Sequence, residues 1–464
     1  MTAKAPSPTL TPSTTDIGSD EPSGATSTGR DRKRHPGWIA ILACAVGLIV
    51  AALLPFAPFV PATESGVTGA VLCGLAAGWL LLGLLATRSI GVRQGWAFAT
   101  AGFFAVSGVL LIALGTPAHG ILDWVWPPAL LGIAVWMIAV VRRQRPRPSR
   151  GVLYPVAALL VLASVGGGVE TVAEAADAQA LPAPGRLIDV GGHRLHLRCT
   201  GTGAPTVVLE AGGGEMSSNL GLVTNAVRRA TRVCTYDRDG RGWSDVTATP
   251  ASGVQIAVDL HTLLQRGGVP GPYVLAGHSF GGLYVRNFAL RYPGEVAGMV
   301  LLDTTAAHAS SHGLGSEADL VHRGIALLSI SARFGLTRIV DALTADDLPA
   351  PFHQEVLATG ATAHSFASTL IEYADAGAAA RQAAALTSFG NKPLFVLTAG
   401  AGNPPSWFAA QQRLARISTD GVQRTVPGID HQGLVGDKTG AAATAGAILD
   451  VVTAVRSGQP VTRR

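Results

Sequence analysis

The sequence predicts an α/β fold, a mostly parallel eight-stranded sheet with helices on both faces, preceded by an all-α membrane-spanning region. Three observations carry this. Five long apolar stretches crowd the first third of the 464-residue chain. From about residue 186, short β-branched runs alternate with longer amphipathic stretches, the pattern of a sheet wound with helices. Charge divides along the same line: residues 1–150 hold twelve Lys and Arg against six acids, and the remainder hold 23 against 24. The whole chain is 48% hydrophobic and 14% charged, with a mean hydropathy of +0.34. A soluble domain averages about 25% charged, so a purely soluble chain is excluded. The basic surplus and the pI of 9.2 belong to the amino-terminal region, and no nucleic-acid partner is indicated.

Residues 1–37 are rich in Ser, Thr, Pro and Gly and hold no aromatic residue, which reads as a disordered tail. Residues 38–173 form the membrane region. Apolar stretches at 38–60, 67–86, 96–115, 121–141 and 152–169 have about the length needed to cross 30 Å of hydrocarbon. Orientation follows from the short loops. Arginine and lysine fill the segment before the first span (Arg30, Arg32, Lys33, Arg34), the loop after the second (Arg88, Arg93) and the loop after the fourth (Arg142, Arg143, Arg145, Arg147, Arg150). The other two loops have none. This places the amino terminus in the cytoplasm and, after five crossings, the rest of the chain outside. The fifth stretch, ending in Gly166-Gly167-Gly168, decides that side. With its basic flank and the later Ala178-Gln179-Ala180 it also has some features of a cleaved signal sequence. No acid or base lies inside a span where it would mark an ion path, so anchoring in the lipid bilayer is the expected role. Asp123, near the start of the fourth, is expected at the interface.

Residues 174–185 are small residues and prolines, a linker. Beyond them, 186–190 and 193–199 flank Gly191-Gly192 as a hairpin. Strands follow at 206–210, 232–236, 273–276, 298–303, 393–398 and 422–426, and helices at 254–266, 282–291, 406–417 and 440–455. The most informative segment is Gly277-His278-Ser279-Phe280-Gly281, a G-x-S-x-G pattern between an apolar strand and a helix. There a serine on a strained strand-to-helix turn is held clear of the sheet as a nucleophile. Glycines are needed because side chains at the flanks would meet the neighbouring strand and helix. The following N–H, of Phe280, points at the developing oxyanion.

Residues 186–464 resemble the α/β-hydrolase fold. The resemblance rests on TVVLEAGGG at 206–214, on VCTYDRDGRGWS at 233–244 with its Y-D-R-x-G-x-G-x-S turn, on the elbow, and on VPGIDH at 426–431. It covers about 60% of the chain and none of the membrane spans. It implies that Gly213 supplies a second oxyanion N–H, with Gly214 nearly as good a candidate. The order Ser, acid, His in this fold makes His431 the general base, since of twelve histidines it alone follows the last strand. His278 is expected beneath the nucleophile; His308, His312, His322, His353 and His364 fall in an insertion and read as solvated. Many members carry the acid after the seventh strand, but LTAGAGNPPS at 397–406 has none. Asp303, ending the preceding strand, is the expected acid, with Asp430 second. The fold also sets Cys199 and Cys234 on neighbouring strands, where an exported domain would permit a disulfide. Cys44 and Cys73 read as small apolar residues within the spans.

Residues 304–391 exceed an ordinary connection and read as a helical lid over the nucleophile. Its Leu, Ile and Phe suit an apolar acyl substrate. The chain thus reads as a membrane-anchored serine hydrolase acting on a small-molecule acyl compound, an ester first, through Ser279, His431 and Asp303. No cofactor or metal is expected. The alternatives are a decayed, hydrolase-like membrane receptor or scaffold, and a serine-type perhydrolase or peptidase.

Overall fold

The computed structural model describes residues 36–90, 94–143, 150–247, 251–305, 318–343 and 348–461. The tail expected over 1–37 lies almost wholly outside them, as do Arg30 to Arg34, Arg93, Arg145, Arg147, His308 and His312. Residues 36–464 pack as one unit.

Five helices lead: α1 (Pro36–Leu53), α2 (Glu64–Ile90), α3 (Gly95–Leu114), α4 (Thr116–Arg143) and α5 (Arg150–Ala180). Each is long and apolar enough to cross a membrane, which marks the chain as membrane-associated. Pro127 and Pro128 lie inside α4. A hydroxyl from α5 takes up one carbonyl there, Ser164 Oγ donating to Pro127 O at 2.6 Å. The fifth helix runs 31 residues, about 46 Å at 1.5 Å per residue. It continues through the segment expected as a linker from 174, because VETVAEAADAQA is built of helix formers apart from its valines and threonine. Only 181–185 are left as a non-helical connection.

The sheet strands are β1 (Arg186–Asp189), β2 (Arg194–Thr200), β3 (Thr206–Glu210), β4 (Val233–Tyr236), β5 (Tyr273–His278), β6 (Val296–Leu302), β7 (Leu394–Ala399) and β8 (Gly421–Val426). Their order is β1-β2-β4-β3-β5-β6-β7-β8, with β1, β2 and β4 antiparallel to one another in turn and all later pairings parallel. The central strands are buried on both faces. Alternation sends Met299 and Leu301 of β6 into one core and Val300 and Leu302 into the other. The first core is closed by α7 (Gly253–Arg266), α8 (Gly281–Arg291) and α13 (Pro405–Ala415). The second is closed by α6 (Gly221–Val227), α14 (Gly433–Gly436) and α15 (Lys438–Ser457). Cys199 and Cys234 are cross-strand partners in β2 and β4 and form a disulfide; Cys44 and Cys73 are free.

The long insertion carries α9 (Ala318–Ser329), α10 (Leu336–Leu343), α11 (Phe352–Gly360) and α12 (Ala363–Ala384). Between α11 and α12 the chain breaks for two residues. Thr362 stops the first and caps the second, its hydroxyl accepting from Ser365 N at 3.3 Å.

Candidate active site

The elbow is built by β5 and α8. Ser279 has φ of +53°, the left-handed region that a side chain occupies only at a cost. Its N–H is tied to Leu302 O of β6 at 3.0 Å. A Cβ on Gly277 would stand 2.5 Å from the Gly281 carbonyl carbon, and one on Gly281 would collide with the Glu210 carbonyl of β3. These glycines let strand, helix and neighbouring strand close around the turn. Gly277, His278, Phe280 and Gly281 are buried, while Ser279 is half-buried with its hydroxyl free of hydrogen bonds to described residues.

The loop after β3 faces the turn. Gly212 N donates to Glu215 Oε2 at 2.6 Å, and Gly214 N donates to Glu372 Oε2 at 2.8 Å. The N–H groups of Gly213 and Phe280 donate to no described residue. A Cβ on Gly213 would run into the Phe280 ring, so the two are in close contact. Of the two glycines considered as donors, Gly214 is therefore engaged elsewhere and Gly213 is available.

His431 follows β8. Its Nδ1 stands 2.7 Å from Asp303 Oδ2. Asp303 is fully buried at the end of β6, with φ of +43°, and accepts from three further donors: Trp407 Nε1 at 2.7 Å, Ala399 N at 3.2 Å and Asn403 Nδ2 at 3.1 Å. Burial pushes its pKa up, but the bonds from His431, Trp407 and Asn403 outweigh this and hold it below the ordinary aspartate value. With Nδ1 donating to the carboxylate, Nε2 carries the free lone pair. Ser279 Oγ and Nε2 are not hydrogen-bonded here; such contacts commonly tighten only with substrate bound. Asp430 is exposed and accepts from Gly433 N at 2.8 Å, away from the imidazole.

His278, next to the serine, has the opposite surroundings. It is fully buried, Nδ1 facing Glu215 Oε2 at 3.0 Å and Nε2 facing the His431 carbonyl at 3.0 Å. Two acceptors for two ring nitrogens suit the protonated form of the ring. Burial lowers its pKa, and the Glu215 carboxylate more than reverses that, raising it above the usual histidine value. The ring lies 4.7 Å from that of His431. His278 thus ties the oxyanion loop, through Glu215, to the His431 loop.

The lid reaches the same loop. Glu372 of α12 bonds Gly214 N and accepts from Arg238 Nε at 2.7 Å and Arg241 Nη2 at 3.2 Å. Tyr373 packs on Phe280 with ring centroids 5.0 Å apart. Glu210 beneath them is pushed up to about 7 by burial, against the pull of Arg238 Nη1 at 2.7 Å. The solvated setting expected for His322 and His364 does not hold. Both line a cavity between lid and bundle, because α9 packs on the apolar helix α2 rather than on water and α12 packs on α9. His353, on α11, is half-buried.

Trp407, Asn403, Glu215 and Glu372 were not legible as site residues. Asn403 alone left a trace, standing in the segment that lacks the expected acid. Among the described residues no cluster of three or more His, Cys, Asp or Glu has a metal-holding arrangement.

A family model described as the alpha/beta hydrolase fold matches residues 205–323. With the sheet order above, it assigns the α/β-hydrolase fold to the sheet-bearing part of the chain, and the fold supports hydrolase activity in general. An uncharacterized protein of Schizosaccharomyces pombe is 37% identical over 155 residues, 27% of this chain and 29% of that protein. A putative carbamate hydrolase of Cronobacter turicensis is 34% identical over 104 residues, 22% of this chain and 38% of that protein. This chain spans less than half the length of each curated relative it matches. A solved thermophilic esterase from Thermogutta terrifontis is 20% identical, with a TM-score of 0.43, over 57% of this chain and 97% of that one.

Proposed function

We propose that the chain is a membrane-anchored serine hydrolase that cleaves an acyl bond, carboxylic esters first. Ser279 Oγ attacks the acyl carbonyl carbon while His431 Nε2 takes its proton, and the N–H groups of Phe280 and Gly213 stabilise the oxyanion. Collapse expels the alcohol, which receives that proton. Water, deprotonated by His431, then cleaves the acyl-enzyme and restores the serine. Asp303 fixes the imidazole tautomer and stabilises its charged form. The observation that carries this reading is the 2.7 Å pairing of His431 Nδ1 with buried Asp303 beside the strained serine turn.

The alternation of arginines between loops and the Cys199–Cys234 disulfide support a domain on the extracytoplasmic side. The likeness to a putative carbamate hydrolase adds carbamates to the substrates worth testing. The test is labelling of the full chain in membranes with a fluorophosphonate. Wild type is expected to label and Ser279→Ala to lose labelling and about 10⁴-fold or more in turnover. Unlabelled, well-folded wild type favours a decayed scaffold. Acyl esters of increasing length and an aryl carbamate then sort the substrate.

A further inference from the structure

A cavity of about 720 Å³ lies where the lid meets the membrane bundle, and Ser279 does not line it. Three lid arginines tie the lid to the bundle, and one of them, Arg333, lines the cavity. Arg323 Nη1 donates to Pro55 O at 2.6 Å; Arg333 donates to Glu64 at 2.6 Å and Asp123 at 3.0 Å; Arg338 donates to Glu170 at 3.0 Å and Asp177 at 2.8 Å. The helix α12 forms one of its walls. His364, Ser368, Ile371 and Asp375 line the cavity on one helical face, while Thr369 and Tyr373 turn to Gly214 and Phe280.

Two buried imidazoles there lack hydrogen bonds among the described residues: His322 at Nε2, which stands 3.4 Å from Asp375, and His119 at both nitrogens. His119, at the start of α4, is 3% exposed, and the nearest acid, Asp123, stands 4.0 Å from its Nδ1. An imidazole left so loses its hydration with nothing in return unless something in the cavity bonds it. The charged side chains around it already have partners in the protein: Arg333 with Glu64 and Asp123, Arg238 with Glu210 and Glu372, Asp375 with His322, Asp239 with Thr247. Three imidazoles face the space, of His119, His322 and His364, and among the described residues that of His119 alone has both nitrogens without a hydrogen bond; in its neutral form it offers one donor and one acceptor, beside apolar wall from Leu114, Val246, Ile256 and Ile371. A hydroxyl presents the matching acceptor and donor. The volume is within the range of small-molecule sites. The cavity also sits at the bundle's lid-facing end, the level of lipid headgroups when such helices cross a bilayer.

We propose that this cavity binds a neutral, hydroxyl-bearing amphiphile from the membrane, its hydroxyl on His119 and its apolar body against Leu114, Ile256 and Ile371. The membrane helices then form one wall of a ligand site. The inference is independent of the catalytic reading, since it uses neither Ser279 nor His431.

The test uses the full chain in phosphatidylcholine nanodiscs and a diazirine-bearing 1-monoacylglycerol, with cross-linked peptides mapped by mass spectrometry. Adducts are expected on peptides containing residues 62–65, 114–119 and 364–379, equally in wild type and Ser279→Ala. Unlabelled 1-monooleoylglycerol should displace them at concentrations where oleate does not. His119→Phe, which keeps a ring and removes the hydrogen bond, should cut the yield about tenfold, and Ala367→Trp, which fills the space, at least as much. If Ala367→Trp does not fold, His119→Phe decides. Adducts confined to the outer faces of the helices, displacement by oleate as effective as by the neutral competitor, or undiminished yield in folded variants would overturn the proposal.

Discussion

At the end of β6 a buried carboxylate, Asp303, is held by one imidazole and three uncharged donors, whereas at the lid–bundle seam the carboxylates of Glu64 and Glu170 are held by arginines. Guanidinium keeps its charge at any accessible pH, and imidazole does not. The first arrangement suits a partner that must gain and lose a proton. The second suits an attachment that must not change. Charge burial is thus put to different uses within one chain, and each can be broken without the other.

The largest effect is expected from Asp303→Asn, which keeps the shape but should cost about 10⁴-fold in turnover through loss of the required tautomer. Thermal unfolding and lid protection from hydrogen exchange should stay near wild type; near-normal turnover would reject the assignment. On the seam, Arg333→Met leaves Glu64 and Asp123 without their partner, and about 3 kcal/mol of local stability should go with it. Hydrogen exchange over 318–343 should quicken while Ser279 still reacts with fluorophosphonate; unchanged protection would show the lid to be held elsewhere. A smaller loss, about tenfold in kcat, is expected for Trp407→Phe, which removes one donor to Asp303.

The smallest concerns His278. Its pKa is raised in the folded protein, so its pairing with Glu215 contributes stability that is full below the ordinary histidine value of about 6.5 and is lost as pH rises through the folded value. Melting temperature should therefore fall toward alkaline pH more steeply in wild type than in His278→Gln. Parallel curves would mean that the ring is neutral.

All eight strands and the elbow were legible because each is written in neighbouring residues, by apolar runs and by glycines at fixed spacing. The His431 loop followed from its place after the last strand. Trp407 and Asn403 were not, because they meet Asp303 from 104 and 100 positions away and nothing in a tryptophan or asparagine marks such a partner. Glu372 meets Gly214 across 158 positions, from a lid helix whose charges alone would suggest a solvated face. His322 and His364 were misjudged for the same reason, since only the packing of lid on bundle puts them in the cavity between the two. The fifth stretch does not end at Gly166 to Gly168, which are helical. A Cβ on Gly166 would stand 2.8 Å from the Phe334 carbonyl oxygen.

The contact between Asn403 and Asp303 has one more consequence. The amide nitrogen stands 3.1 Å and 3.3 Å from the two carboxylate oxygens, joining the ends of β7 and β6 in a single hydrogen-bonded pair. Two carboxylates in those places would repel, and two amides would leave the imidazole without its anion. The two positions thus behave as one socket with a single negative charge to house, open to filling from either strand. A reciprocal exchange, aspartate to 403 and asparagine to 303, would carry the charge across that socket in two steps, giving the acid a short route from one strand end to the next.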